Sequence, residues 1–299
     1  MMKKLSVGRI MMGDVVFPLF CRTMFRKNDD KRDAGLTVPD NISITADLHY
    51  GPDPEQVLDV YKPLPLTPGE ALPVIISIHG GGYVYGDKER YRFYAMDLAR
   101  RGFAVVNFTY RLAPKHKYPA QILDVMNCVI YVMKHAPELG IDPGRVFFVG
   151  DSAGGQMLTQ YVAACSNPAY AELLNLTFPE MNIRAVAINC ALSHLNSANP
   201  AVKSYLPREA WTYGRELRVM EHITDAFPPA FVMTAYGDGL FEDAFTISHH
   251  LTEAGVENEL HIYGTKENPP GHVFHLNIRD PEAIRCNDEE CGFFREHME

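Results

Sequence analysis

RVFFVGDSAGG, residues Arg145 to Gly155, runs from an apolar strand-like segment through a turn of small residues. A helical run, QMLTQYVAA, follows at once. Gly150-x-Ser152-x-Gly154 therefore sits between a strand and a helix, the context that a nucleophile elbow requires. Such a turn is sharp, so small residues are needed two places either side of the serine. The serine hydroxyl is then held out at the C-terminal edge of a sheet. Amides at the start of the following helix face any negative charge that develops there. By composition alone, G-x-S-x-G arises about 0.1 times in a chain of this length. Its placement between strand and helix raises its weight.

Working outward, short apolar runs alternate with amphipathic ones. Pro73–Ile78, Phe103–Phe108, Arg145–Gly150, Arg184–Asn189, Pro229–Ala235 and Glu259–Tyr263 read as buried strands, β-branched or aromatic and bounded by turn residues. Glu89–Arg101, Tyr118–Ala136, Ala153–Ser166 and Glu242–Ala254 read as helices, and Gly102 and Gly255 suit two helix stops. This alternation implies a mostly parallel sheet with helices on both faces. Ile42–Tyr50 and Gln56–Pro63 alternate apolar with polar residues and read as an antiparallel pair at one sheet edge, giving about eight strands. Two segments break the pattern, residues 1–40 and 193–228. They read as a small helical cap over a core of residues 41–192 and 229–299. The second is too long for a simple loop and holds Tyr205, Trp211 and Tyr213.

Directly after the strand Pro73–Ile78 stands His79-Gly80-Gly81-Gly82-Tyr83. Three glycines pack no side chain, but their backbone can turn its N–H groups to one point. An oxyanion hole needs that, and the same HGGG pattern occurs in lipases and esterases. Gly81, Gly82 and Ala153 are the expected donors, with His79 shaping the loop rather than acting as base. A serine hydroxyl needs a histidine base, and that histidine an acid to orient it. Asp238 lies just past the strand Pro229–Ala235, where the acid is expected. Glu242 and Asp243 read instead as charges opening the next helix. His272 lies in the loop beyond the last strand and is the expected base. His275 follows three residues later, so a metal pair is the rival reading. It lacks a third-ligand pattern such as H-E-x-x-H.

The composition is that of a globular protein: 299 residues, 46% hydrophobic and 22% charged, with formal net charge −9. An acidic surface disfavours nucleic acid and anionic membrane as partners. No stretch of about 18 apolar residues predicts a membrane span. Arg9 and Asp14 interrupt the apolar N-terminal run, which argues against a secretory signal. Six cysteines occur without a C-x-x-C, which fits reduced thiols and a cytoplasmic location.

The ordered set HGGGYVYGD (His79–Asp87), YRLAPKHKYPAQILD (Tyr110–Asp124), LGIDPGRVFFVGDSAGG (Leu139–Gly155), GDGLFED (Gly237–Asp243) and HVF (His272–Phe274) resembles the hormone-sensitive-lipase-like esterases, a branch of the α/β-hydrolase fold. The resemblance spans about Gln56 to Phe274. It implies a carboxylesterase acting on small-molecule esters with short acyl groups, without cofactor or metal, with a helical cap shaping the pocket. By position, Ser152 is the nucleophile, Asp238 the acid and His272 the base. The chain departs from the family's usual H-G-F with His272-Val273-Phe274, preceded by an unusual NPPG. Tyr83, Tyr85, Trp211 and Tyr213 point to a cramped, partly polar substrate pocket, although aromatic residues serve equally as cap core. Two rival functions remain at this level. One is an amide or arylformamide hydrolase of the same fold. The other is a non-catalytic small-molecule receptor, which a chain retaining all three catalytic candidates disfavours. A monomer or homodimer is expected.

Overall fold

The computed structural model describes residues 12–67, 69–196, 198–207 and 214–299. Eight strands form one sheet: β1 (Ile42–His49), β2 (Val57–Pro63), β3 (Leu72–Ile78), β4 (Ala104–Thr109), β5 (Ile141–Asp151), β6 (Ile183–Asn189), β7 (Ala230–Ala235) and β8 (Asn258–Tyr263). Their order is β1-β2-β4-β3-β5-β6-β7-β8. β1 pairs antiparallel with β2, and β2 with β4; the other pairs are parallel. The expected antiparallel edge pair is therefore present. β5 starts at Ile141, upstream of its Val/Phe run, and a register shift against β3 between Leu72 and Val74 absorbs the extra residues.

The period of two along each strand explains why the central strands are apolar throughout. Val74, Ile76, Val146 and Phe148 enter one core, packed under α3 (Ala120–Lys134), α5 (Ala153–Ser166) and α8 (Phe241–Glu253). Ile75, Phe147 and Val149 enter the core on the other face, under α2 (Lys88–Ala99) and α9 (Pro281–Glu296). A strand covered on both sides has no face left for polar residues. α9 is a helix that the sequence reading did not assign. It starts at Pro281, capped by Asp280, whose side chain accepts from the Glu282 N–H. Its Cys286, Cys291, Phe293 and Phe294 are buried against the sheet.

The two irregular segments contain α1 (Met12–Asp33) and α7 (Pro200–Tyr205), which pack against each other at the C-terminal end of the sheet. Among the described residues, no helix is long and apolar enough to cross a membrane.

Candidate active site

Ser152 stands between β5 and α5 with φ 52° and ψ −118°, a conformation that L-residues rarely adopt. The surrounding glycines make that turn possible. A Cβ on Gly154 would stand 2.0 Å from the Ile78 carbonyl oxygen. A Cβ on Gly150 would stand 2.7 Å from the Gly154 carbonyl oxygen. The Ser152 N–H donates to the Asn189 carbonyl at 2.9 Å, tying the turn to β6.

Asp238 lies three residues beyond β7, and its carboxylate is fully buried. Oδ1 accepts from the Leu240 N–H at 2.8 Å and Oδ2 from the Thr234 hydroxyl at 3.4 Å. Burial alone would raise its pKa. The hydrogen bond and charge of His272, with the Cys190 thiol and the Leu240 amide, outweigh burial and hold the carboxyl below its ordinary value. His272 Nδ1 lies 2.8 Å from Asp238 Oδ1, and Nε2 lies 3.0 Å from Ser152 Oγ. Cys190 is the third potential metal-ligating group of this cluster, but both His272 ring nitrogens already point at protein partners.

The NPPG segment does not displace His272. Pro269 closes on Gly237, where a Cβ would stand 2.9 Å from Pro269 Cβ. The Gly271 N–H donates to the Tyr236 carbonyl at 3.1 Å. These contacts dock the loop on the turn that carries Asp238. His275 is fully enclosed, its ring edge-on to Tyr94 at 5.2 Å, and burial lowers its pKa to about 3. It packs in the core and does not approach Ser152 as a partner.

His79 is also buried. Its ring stacks on Tyr110 at 4.0 Å and its Nδ1 lies 2.7 Å from the Gly80 carbonyl. Burial lowers its pKa to about 4, so it stays neutral and shapes the loop. Gly81 and Gly82 have φ of 109° and 62°, and a Cβ on Gly81 would stand 2.2 Å from the Tyr85 carbonyl oxygen. Among the described residues, the N–H groups of Gly81, Gly82 and Ala153 have no backbone acceptor.

A cavity of about 400 Å³ reaches Ser152 and His272. Gly81, Gly82, Tyr85 and Ala201 form part of its wall, and α1 contributes Phe17, Cys21, Phe25, Asp29 and Arg32. Tyr85 is in the wall of this cavity, its hydroxyl donating to Asp29 Oδ2 at 2.6 Å. Tyr83 is not, which corrects the expectation from the sequence. With φ 64° it turns inward, stacks on Tyr205 at 3.8 Å and donates to Gln156 Oε1 at 3.0 Å. Trp211 and Tyr213 lie outside the described residues.

Sequence reasoning missed the supports beneath the site. Asp151 Oδ2 accepts from the Tyr91 hydroxyl at 2.8 Å, and the Tyr91 hydroxyl oxygen accepts from the Gly80 N–H at 2.9 Å. Tyr91 so joins the elbow to the glycine loop. Burial pushes the Asp151 pKa up to about 7 against the Tyr91 hydrogen bond. Glu290 of α9 accepts from Asn189 Nδ2 at 2.6 Å, beneath the same turn, and burial raises it to about 7 as well. The only signal for Asp151 was its place beside the serine; nothing local to Glu290 or Tyr91 marked them.

A profile described as the alpha/beta hydrolase fold matches residues 75–276. Esterase LipI of Mycobacterium tuberculosis is 31% identical over 226 residues, 68% of this chain and 67% of LipI. Carboxylesterase NlhH of the same organism is 32% identical over 208 residues, 63% of each chain. The chain thus spans about two thirds of the length of these curated relatives. The crystal structure of esterase B from Lactobacillus rhamnosis, inhibited by a tributyrin phosphonate, superimposes with a TM-score of 0.87 at 23% identity, covering 97% of both chains. At that identity the likeness is one of fold. Profile, relatives and architecture converge: the chain belongs to the hormone-sensitive-lipase-like esterases of the α/β-hydrolase fold.

Proposed function

We propose that this protein is a serine carboxylesterase that hydrolyses short-chain acyl esters through an acyl-enzyme. The observation that carries this reading is the line from Ser152 Oγ through His272 to Asp238, at 3.0 and 2.8 Å. Asp238, buried and ionised, holds the His272 Nδ1–H and leaves Nε2 free to accept the serine proton. Ser152 Oγ attacks the ester carbonyl as that proton moves to Nε2. The N–H groups of Gly81, Gly82 and Ala153 receive the oxyanion. The imidazolium then returns the proton to the leaving alcohol. A water activated at Nε2 attacks the acyl-enzyme in the same manner and releases the acid. No cofactor enters these steps.

The short-acyl preference rests on the pocket of about 400 Å³. It also rests on α1 and α7, which we assign with residues 1–40 and 193–228 to a cap over the core. We place the protein in the cytoplasm, a compartment in which its free cysteines stay reduced. The test is a p-nitrophenyl ester series from acetyl to octanoyl with wild type and Ser152→Ala. Rates should fall with chain length and collapse in the variant. Rates that rise to octanoyl would overturn the acyl preference, and equal rates in the variant would overturn the nucleophile.

A further inference from the structure

We propose that the outward face of α1 docks this protein on an anionic lipid surface. The helix carries two sets of large apolar side chains, one enclosed and one exposed. Phe17, Cys21 and Phe25, four residues apart, line the pocket. Leu19, Phe20 and Met24 are not among the pocket-lining residues and are 63%, 60% and 41% exposed. A helix needs one apolar face to pack on its own protein, so a second set of large side chains, left exposed, indicates a partner.

The charge around this face identifies the partner's chemistry. Residues 17–28 hold Arg22, Arg26 and Lys27 and no acid, in a chain of net charge −9. Arg22, Arg26 and Lys27 are exposed on α1 beside the apolar strip. The acids at its far end are paired within the protein: Asp29 and Asp33 with Arg32, and Asp30 with Arg90. Net charge disfavours anionic membranes only for the molecule as a whole. Exposed charges farther away than the Debye length, about 8 Å at physiological salt, are largely screened. A basic strip flanking exposed Leu and Phe is the composition of helices that lie in the plane of a lipid interface. A second copy of the chain fits less well, because a twofold contact here sets two basic segments against each other.

α1 is fastened to the body by polar contacts, including Arg22 Nε to the Val84 carbonyl at 2.9 Å and Arg32 Nη2 to the Arg90 carbonyl at 2.6 Å. Docking its outer face therefore brings the pocket, one helix diameter away, to the lipid surface. Delivery of membrane-borne esters to that pocket rests on the ester-hydrolysis reading; docking does not.

The test is co-sedimentation of the full chain with phosphatidylcholine vesicles, with and without phosphatidylglycerol. Wild type should bind the anionic vesicles, release at high salt, and bind pure phosphatidylcholine at least about tenfold more weakly. Leu19→Ser with Phe20→Ser, and separately Arg26→Gln with Lys27→Gln, should each lower binding about tenfold or more. Both variants should hydrolyse p-nitrophenyl acetate at the wild-type rate, which also shows that they fold. Ser152→Ala should bind vesicles as wild type does, so loss of catalysis and loss of docking are read separately. No binding to anionic vesicles, equal binding by all variants, or a dimer that the Leu19→Ser/Phe20→Ser variant dissolves would overturn the proposal.

Discussion

Ser152 at φ 52° carries backbone strain of about 1–3 kcal/mol, which the hydrogen bond to Asn189 and the glycines around it hold in place. That strain aims its hydroxyl at His272 and not at His275, although the two histidines are three residues apart. Val273 at φ 51° turns the chain between them, so one ring faces the pocket and the other the core. His272→Ala should therefore lower kcat for p-nitrophenyl acetate at least about 10³-fold. His275→Ala should retain most of the turnover and show its cost in thermal unfolding. Asp238 and His272, the proposed partners of Ser152, were legible as residue types just past strand ends. Tyr83 was misread because sequence does not show the positive φ that turns it under the glycine loop.

Glu290 allows a pH prediction at the same scale. Burial raises its folded pKa from its ordinary value of 4.5 to about 7. The stability that it contributes is fully present below about pH 4.5 and is lost as pH rises through 7. Glu290→Gln removes that loss while keeping an acceptor for Asn189. Above pH 7 the variant should be the more stable, by on the order of 3 kcal/mol, and the difference should shrink towards pH 5. Urea unfolding at pH 5 and pH 8 measures it. A difference that grows towards pH 5 would contradict a carboxyl held neutral by burial.

Among the elements, the join of β5 to α5 is the most constrained. Gly154→Ala puts a Cβ 2.0 Å from the Ile78 carbonyl, a backbone atom that cannot rotate away. It should cost several kcal/mol of stability, with turnover falling together with it. Thermal unfolding and a p-nitrophenyl acetate assay on one preparation would show this. The strands and the helices α2, α3, α5 and α8 were legible because burial on one or both faces imposes a period of two or 3.6 on the residues. α9 was not, since its apolar residues Cys286, Cys291, Phe293 and Phe294 stand among Arg, Asn, Asp, Glu and Gly292. α1 was hidden for a related reason: Phe17, Leu19, Phe20, Cys21, Met24 and Phe25 spread around it, so they form no single stripe.

For the whole molecule, the elbow lies on the central strand β5, the acid follows β7 and the base follows β8. Three distant segments meet because parallel strands all end at one sheet edge. That convergence follows from the alternation of strands and helices, and so the catalytic candidates could be found without coordinates. The walls of the pocket could not. They come in part from α1, whose packing is decided by tertiary contacts with α7 and with Val84 and Tyr85 after the glycine loop. Substrate choice was therefore the least legible property.

Mass spectrometry of the protein after reaction with a short alkyl phosphonate ester tests the nucleophile most directly. One phosphonyl group per chain is expected, on the peptide containing Ser152, with none on Ser152→Ala and far slower labelling of His272→Ala. Labelling elsewhere in the chain, or undiminished labelling of Ser152→Ala, would contradict Ser152 as the nucleophile.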